Sequence, residues 1–114
     1  MKLLREEREE IKLWVDDLRP APNGYIWAKS VNDAINKILF TDILRIDDEN
    51  VEIELISLDH DAGDYAWDGG DYIEVLKWLE ATGRNYPIRI HSQNPVGVEN
   101  MRRIIQHNGW KEVF

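Results

Sequence analysis

Leu55-Ile56-Ser57-Leu58-Asp59-His60-Asp61 passes from an apolar run straight into three adjacent ionisable side chains. Burying such groups is costly unless they are paired or engaged in chemistry, so the stretch reads as a buried strand that opens onto a site. Ile53, Leu55 and Ser57 alternate with Glu54, Ile56 and Leu58, and both faces become more apolar toward the end, as in a strand covered on each side. In open α/β sheets that C-terminal edge is where ligands bind.

Upstream, Ile11-Lys12-Leu13-Trp14-Val15 predicts a first strand that ends in Asp16-Asp17, a second switch from apolar residues to acid. Leu18 to Gly24 contains Pro20, Pro22 and Gly24 and must be an extended connection. Tyr25-Ile26-Trp27-Ala28 is the second strand. About seven residues at ~3.3–3.6 Å each just retrace a short strand, so a helix-free parallel crossover is feasible and an antiparallel hairpin is the alternative. Ser30, with Asp33 three residues on, predicts a helix start, and Val31, Ala34, Ile35, Ile38 and Leu39 carry the helix over 31–41. Asp47 to Asn50 reads as an exposed turn.

Downstream of the central strand, Ala62 to Gly70 is a loop rich in Gly, Asp and aromatics. Asp71 with Glu74 predicts a capping box for a second helix that Gly83 stops. Pro87 to His91 is a fourth strand. Asn94-Pro95 opens a third helix, closed by Asn108-Gly109, and Trp110 to Phe114 is a fifth strand. The pattern gives an α/β domain with a mostly parallel five-stranded sheet. Right-handed crossovers put its three helices mainly on one face and leave the other bare. A charged arm, residues 1–10, precedes the domain at 11–114; either the arm, through Leu3 and Leu4, or a second copy is expected over the bare face, with a homodimer or partner docking favoured.

The 114 residues suit one domain; 43% are hydrophobic and 32% charged, with five Trp and no Cys. No run approaches ~18 apolar residues and no signal-peptide core opens the chain, so no membrane role is indicated and a cytoplasmic location is expected. Lacking Cys, the chain must hold any metal through Asp, Glu, His or Asn. A net charge of −8 argues against an extended nucleic-acid face, while a local phosphate contact through a cation or a few Arg remains compatible with it.

Asp16, Asp17 and Asp59 end neighbouring strands, and three carboxylates share a crevice only with neutralisation or raised pKa values. Mg²⁺ is the expected ion, with Mn²⁺ the alternative; Asp17 bonded to loop amides or paired with Arg19 is the purely structural reading. His60 and His91 stand at the same strand ends, suited to proton transfer, with Asp61 available to orient a ring. His107 is expected to be a surface residue near a helix end. His91-Ser92-Gln93-Asn94-Pro95-Val96-Gly97 brings a hydroxyl, an amide and a helix N-terminus to that rim, and Arg19, Ser92, Asn94, Val96 and Gly97 are candidate phosphate contacts. Asn94 as a cap and Ser92 as a loop brace are the structural alternatives. Tyr65 and Trp67 are candidates to stack on a base or cover the site.

Leu13 to Pro20, Leu58-Asp59-His60-Asp61, His91 to Gly97 and then Asn100-Met101 together resemble the cyclic-phosphate processing receiver-like family, a relative of response-regulator receiver domains. The resemblance implies a flavodoxin-like sheet of order 2-1-3-4-5 without the first and last receiver helices. It matches Asp16 and Asp17 to the acidic metal-binding pair, Asp59 to the phospho-acceptor and Ser92 to the hydroxyl residue after the fourth strand. The receiver's Lys after the fifth strand has no counterpart, which weighs against phospho-signalling. His60, Asp61, His91 and Asn94 are typical of the cyclic-phosphate family. The implied function is metal-assisted phosphoesterase processing of cyclic phosphates, either 2′,3′-cyclic RNA ends or cyclic nucleotides, in RNA repair or defence. The alternatives are a non-enzymatic phosphate-ligand or metal sensor, and a receiver phosphorylated on Asp59.

Overall fold

The structure, a computed structural model, describes residues 9–114. Strands β1 (Glu9–Val15), β2 (Tyr25–Ala28), β3 (Val51–Leu58) and β4 (Ile88–Ile90) form one sheet of order β2-β1-β3-β4. Every neighbouring pair is parallel. Helices α1 (Val31–Asp47), α2 (Ile73–Ala81) and α3 (Pro95–Asn108) connect them, with a 3₁₀ turn at Gly63–Tyr65. The expected cover of the sheet by the arm falls largely on residues 1–8, which lie outside the described residues; Glu9 and Glu10 already belong to β1.

The link from β1 to β2 is the helix-free parallel crossover, with Val15 paired to Ala28. It turns at Gly24, whose left-handed φ of 85° a side chain would strain, and closes with Tyr25 N donating to Pro22 O at 3.1 Å. Trp14 fastens the crossover to the face opposite the helices, because its Nε1 donates to Arg19 O at 2.8 Å.

Leu13, Val15, Ile56, Leu58 and Ile88 are wholly buried against Ala34, Ile38, Val75, Leu76, Leu79, Met101 and Ile105 of the helices. Ile11 pairs with Ile53 but Lys12 with Leu55, so Glu54 is the extra residue of a β-bulge. The bulge breaks the simple alternation: Ile53 joins the helix-side core, whereas Leu55 lies outside it.

Two helix starts follow their sequence signals. Ser30 Oγ accepts from Asp33 N at 3.0 Å, and Asn94 Oδ1 accepts from Gly97 N at 3.0 Å. The third does not: Asp71 Oδ1 takes the amide of buried Ala62 at 3.0 Å, and Tyr72 stands at the N-cap of α2 without a side-chain cap bond. The amide inside the loop outcompetes the helix end. α1 runs past residue 41 to Asp47, because Thr41 Oγ1 is satisfied by Lys37 O at 3.0 Å and Asp42 pairs with Arg84 at 2.8 Å. The extension leaves Ile43 and Ile46 exposed, in addition to Phe40.

The expected fifth strand is a correction: among the described residues four strands form, and residues 110–114 contribute one parallel bridge, Ile88 to Glu112. Gly109, at a φ of 66°, and the bond from Trp110 N to Ile105 O at 3.0 Å keep the chain in the closing turn of α3. Pairing therefore starts only at Lys111, whose carbonyl accepts from Ile88 N at 2.9 Å. The segment still lies beside β4, where a fifth strand would continue the order.

Candidate active site

Backbone register assembles the site. Beyond the strand ends, Asp16 N donates to Ala28 O at 3.1 Å, Asp59 N to Val15 O at 2.9 Å and His91 N to Leu58 O at 2.8 Å. These bonds align three chain segments at the C-terminal edge of the sheet.

Asp16, Asp17 and Asp59 each bring a carboxylate oxygen within 4.8 Å of the other two. Asp16 is fully buried and saturated: Oδ1 accepts the amides of Leu18 and Arg19, both at 2.9 Å, and Oδ2 faces His91 Nε2 at 3.0 Å. Arg19 lies between Asp16, 3.4 Å from its Nε, and Asp59, 3.7 Å from its Nη2, and not against Asp17; its Nη1 also donates to His91 O at 3.2 Å. One guanidinium against three carboxylates leaves the crevice negative. Burial pushes the Asp17 carboxyl above its usual range, with repulsion from Asp16, Asp59 and Asp64 adding to the rise and its own backbone amide opposing it. Gly63 makes the room for that carboxylate, since a β-carbon there would overlap Asp17 Oδ2. Asp17 and Asp59 retain acceptor capacity for a cation, and the donor set suits a hard ion such as Mg²⁺.

His91 is held on three sides. Its ring stacks on Trp14 with centroids 3.8 Å apart, Nε2 meets Asp16, and Nδ1 lies 2.7 Å from Ser57 Oγ. A carboxylate only accepts, so the neutral ring carries its proton on Nε2 and accepts a hydrogen bond from the Ser57 hydroxyl at Nδ1. Both nitrogens are thus engaged internally. Burial lowers the His91 pKa below the ordinary ~6.5, outweighing the opposing pull of Asp16. The folded state then resists protonation that the unfolded chain accepts: His91's contribution is complete above pH ~6.5 and is lost as pH falls through its lower folded value. Thermal unfolding between pH 7 and 5.5 should show the melting temperature of the wild type falling, with a shallower slope in His91→Gln.

His60 has the opposite character. Its Nδ1 lies 2.8 Å from Asp61 Oδ1, and its Nε2 makes no hydrogen bond among the described residues. Asp61 thereby favours the tautomer with the proton on Nδ1 and a lone pair on Nε2. The ring lies against α3 at Gly97, where any β-carbon would overlap it. Asn94 reaches the same pair through Nδ2, 3.3 Å from both Asp61 oxygens and 3.4 Å from His60 Nδ1. Asn94 also caps α3, and Ser92 Oγ accepts from Asn94 N at 3.1 Å, so the structural alternatives for both residues are met. With Gly97 N on the cap, Val98 N on Asn94 O and Pro95 lacking an N–H, Val96 has the amide at this helix start that bonds to none of the described residues. His60, Asp61 and Asp71 form a second group within 4.8 Å, although Asp71 is committed to Ala62.

Tyr65 and Trp67 line a groove with Trp27, Lys29 and Asp68, whose lining does not include Asp16, Asp17 or Asp59, and His107 is exposed near the end of α3. Two residues of the site escape a sequence reading. Ser57 looks like a strand residue until the pairing of β3 with β4 brings His91 over it. Tyr72 is fully buried, donates to Lys29 O at 2.6 Å, and has its phenol pKa raised by burial and by Asp17, Asp16 and Asp59. The only advance signals are a hydroxyl in an apolar run and a Tyr after an acid-rich loop.

A family model described as the cyclic-phosphate processing receiver domain matches residues 11–107. The chain belongs to this family. No curated protein and no solved structure matches it. As a member of the cyclic-phosphate processing receiver family it keeps the parallel α/β sheet and three helices, with an acidic cluster at the strand tips. Among the described residues of this receiver-like domain, no helix is long and apolar enough to cross a membrane.

Proposed function

We propose that this domain is a phosphoesterase that opens cyclic phosphates, such as 2′,3′-cyclic nucleotides or RNA ends, by adding water. The observation that carries this reading is His60, fixed at Nδ1 by Asp61 and open at Nε2, beside a carboxylate cluster with excess negative charge. Water attacks phosphorus, one ring P–O bond breaks, and His60 takes the water proton and returns it to the departing oxygen. A divalent cation held by Asp17 and Asp59 would supply charge neutralisation for the phosphate oxygens. Asp16 stays anchored by its amides, Arg19 and His91 and keeps the crevice in shape. Arg19 and the Val96 amide are the donors facing a bound phosphate.

The test is incubation of the purified protein with 2′,3′-cyclic nucleotides and cyclic-ended RNA, with and without Mg²⁺ or Mn²⁺. Formation of a phosphomonoester supports the reading; binding without turnover makes the protein a sensor, and acyl-phosphate formation from acetyl phosphate makes it a receiver phosphorylated on Asp59.

The metal gives a separate expectation. At tenfold its Kd, Mg²⁺ or Mn²⁺ should stabilise the fold by about 1.4 kcal/mol, which is a rise of roughly 5 °C or more in a domain of this size. Asp59→Asn should shrink that rise. Asp17→Asn should also shrink it, and should melt above the wild type without metal, because a carboxylate with a raised pKa is a repulsive one. No heat of binding at millimolar metal would remove the cation from the proposal.

A further inference from the structure

An open groove of about 550 Å³ is lined by the end of β2, the start of α1 and the loop after β3, within the ~300–1,000 Å³ range of small-ligand sites. Trp27 of β2, Tyr65 and Trp67 of the loop after β3, and Lys29 and Asn36 are among its lining residues. The Lys29 ammonium lies 4.5 Å from the Trp27 ring centroid and 6.0 Å from that of Tyr65. Trp67 is 80% exposed, unusual for so large an apolar ring.

That exposure does not come with a loose loop. Tyr65 N bonds to Ala62 O at 2.9 Å, Asp68 N to Tyr65 O at 3.0 Å and Gly70 N to Ala66 O at 2.8 Å. The Asp68 carboxylate is pinned by Ser30 Oγ at 2.6 Å and Asn32 Nδ2 at 3.0 Å, so the loop is clamped to the start of α1. A loop backbone fixed in this way has less freedom to lose when a flat ligand stacks on the rings it carries. The groove is also joined to the cluster: Trp27 Nε1 donates to Asp16 O at 2.7 Å, and Gly63, which opens the turn leading to Tyr65, packs on Asp17.

We infer that this groove is a nucleobase subsite, in which the base of a bound nucleotide stacks on the platform of Tyr65 and Trp67 while its phosphate lies at the adjoining carboxylates. Resting on the cyclic-phosphate reading above, it narrows the substrate to nucleotides and RNA ends as against base-free cyclic phosphates. The Asn36 amide makes no hydrogen bond among the described residues and offers both donor and acceptor to a base edge. Asp33, by contrast, is committed to Lys29 N and Lys37. Stacking with one amide on the rim recognises that a base is present more than which base it is.

Calorimetry tests this with adenosine 2′,3′-cyclic phosphate, uridine 2′,3′-cyclic phosphate and the base-free 1-O-methylribose 2′,3′-cyclic phosphate. The two nucleotides should bind roughly 5- to 100-fold more tightly than the base-free compound, with little difference between them. In Trp67→Ala that ratio should collapse toward one, and in Tyr65→Ala it should fall in part. Equal affinity for all three compounds, or a preference that survives in both variants, overturns the subsite. A fourth titration with adenosine separates the two readings. Adenosine bound by the wild type and lost in Trp67→Ala, with no cyclic phosphate opened, upholds the groove and sinks the catalytic reading; opening of the base-free compound as efficiently as of the nucleotides does the reverse.

Discussion

If the domain is the phosphoesterase proposed above, replacing His60 with Gln is expected to lower the turnover of a cyclic phosphate by about 10²–10⁴-fold, the usual contribution of one general acid–base group, while the melting temperature changes little. Gln fills much of the same space against Gly97 and can still face Asp61, so packing survives, but it cannot accept and return a proton near neutral pH. His91→Ala is the counterpart. That ring stacks on Trp14 and joins Asp16 to Ser57, so its removal strands two buried groups and costs about 2–3 kcal/mol. The comparison is made by measuring initial rates and thermal unfolding on the same preparations. If His91→Ala abolishes turnover at unchanged stability while His60→Gln remains active, the two histidines have been given each other's roles.

Asp16→Ala is expected to be the most destabilising single change at this edge. The side chain is wholly buried and accepts from two backbone amides, and it also meets His91 and Arg19. Taking one partner out of a buried charged group costs about 3–5 kcal/mol, a large share of the ~5–15 kcal/mol that holds a domain together. Asp16→Asn should cost clearly less. Its Oδ1 keeps the two amides, and its NH₂ donates to His91 Nε2 once the ring moves its proton to Nδ1 and gives it to Ser57. Denaturant unfolding of both variants checks the order; equal losses would mean that charge, not the hydrogen-bond frame, is what Asp16 provides.

These expectations show where the sequence is readable. The apolar-to-acid switches at Asp16 and Asp59 mark the strand tips because local pattern and burial cost point the same way there. Ser30, Asn94 and Gly109 mark helix ends because the orphan amides and carbonyls of a helix select those residue types. Asp71 carries an equally good signal and is used elsewhere, since the buried amide of Ala62 competes for it from nine residues away. Register is invisible locally. The bulge at Glu54, the meeting of Ser57 with His91, and the junction of Trp27 with the loop of Tyr65 each depend on segments brought together only by the sheet. The same holds for the two histidines: both follow a strand, and it is the engaged nitrogens of one and the open nitrogen of the other that separate their chemistry.

The helix-free crossover also orders the events by which the chain folds. Closing a loop costs about (3/2)RT ln n in entropy. Val15 meets Ala28 across a separation of 13 residues but meets Leu58 across 43, so the first closure is cheaper by about 1 kcal/mol. Parallel pairing ordinarily waits for a helix to form and dock. Here β1 and β2 can zip before any helix exists, with the edge-on contact of Trp14 and Tyr25 at 5.8 Å as a local reward, and the resulting ribbon presents Leu13 and Val15 as the surface on which α1 and β3 condense.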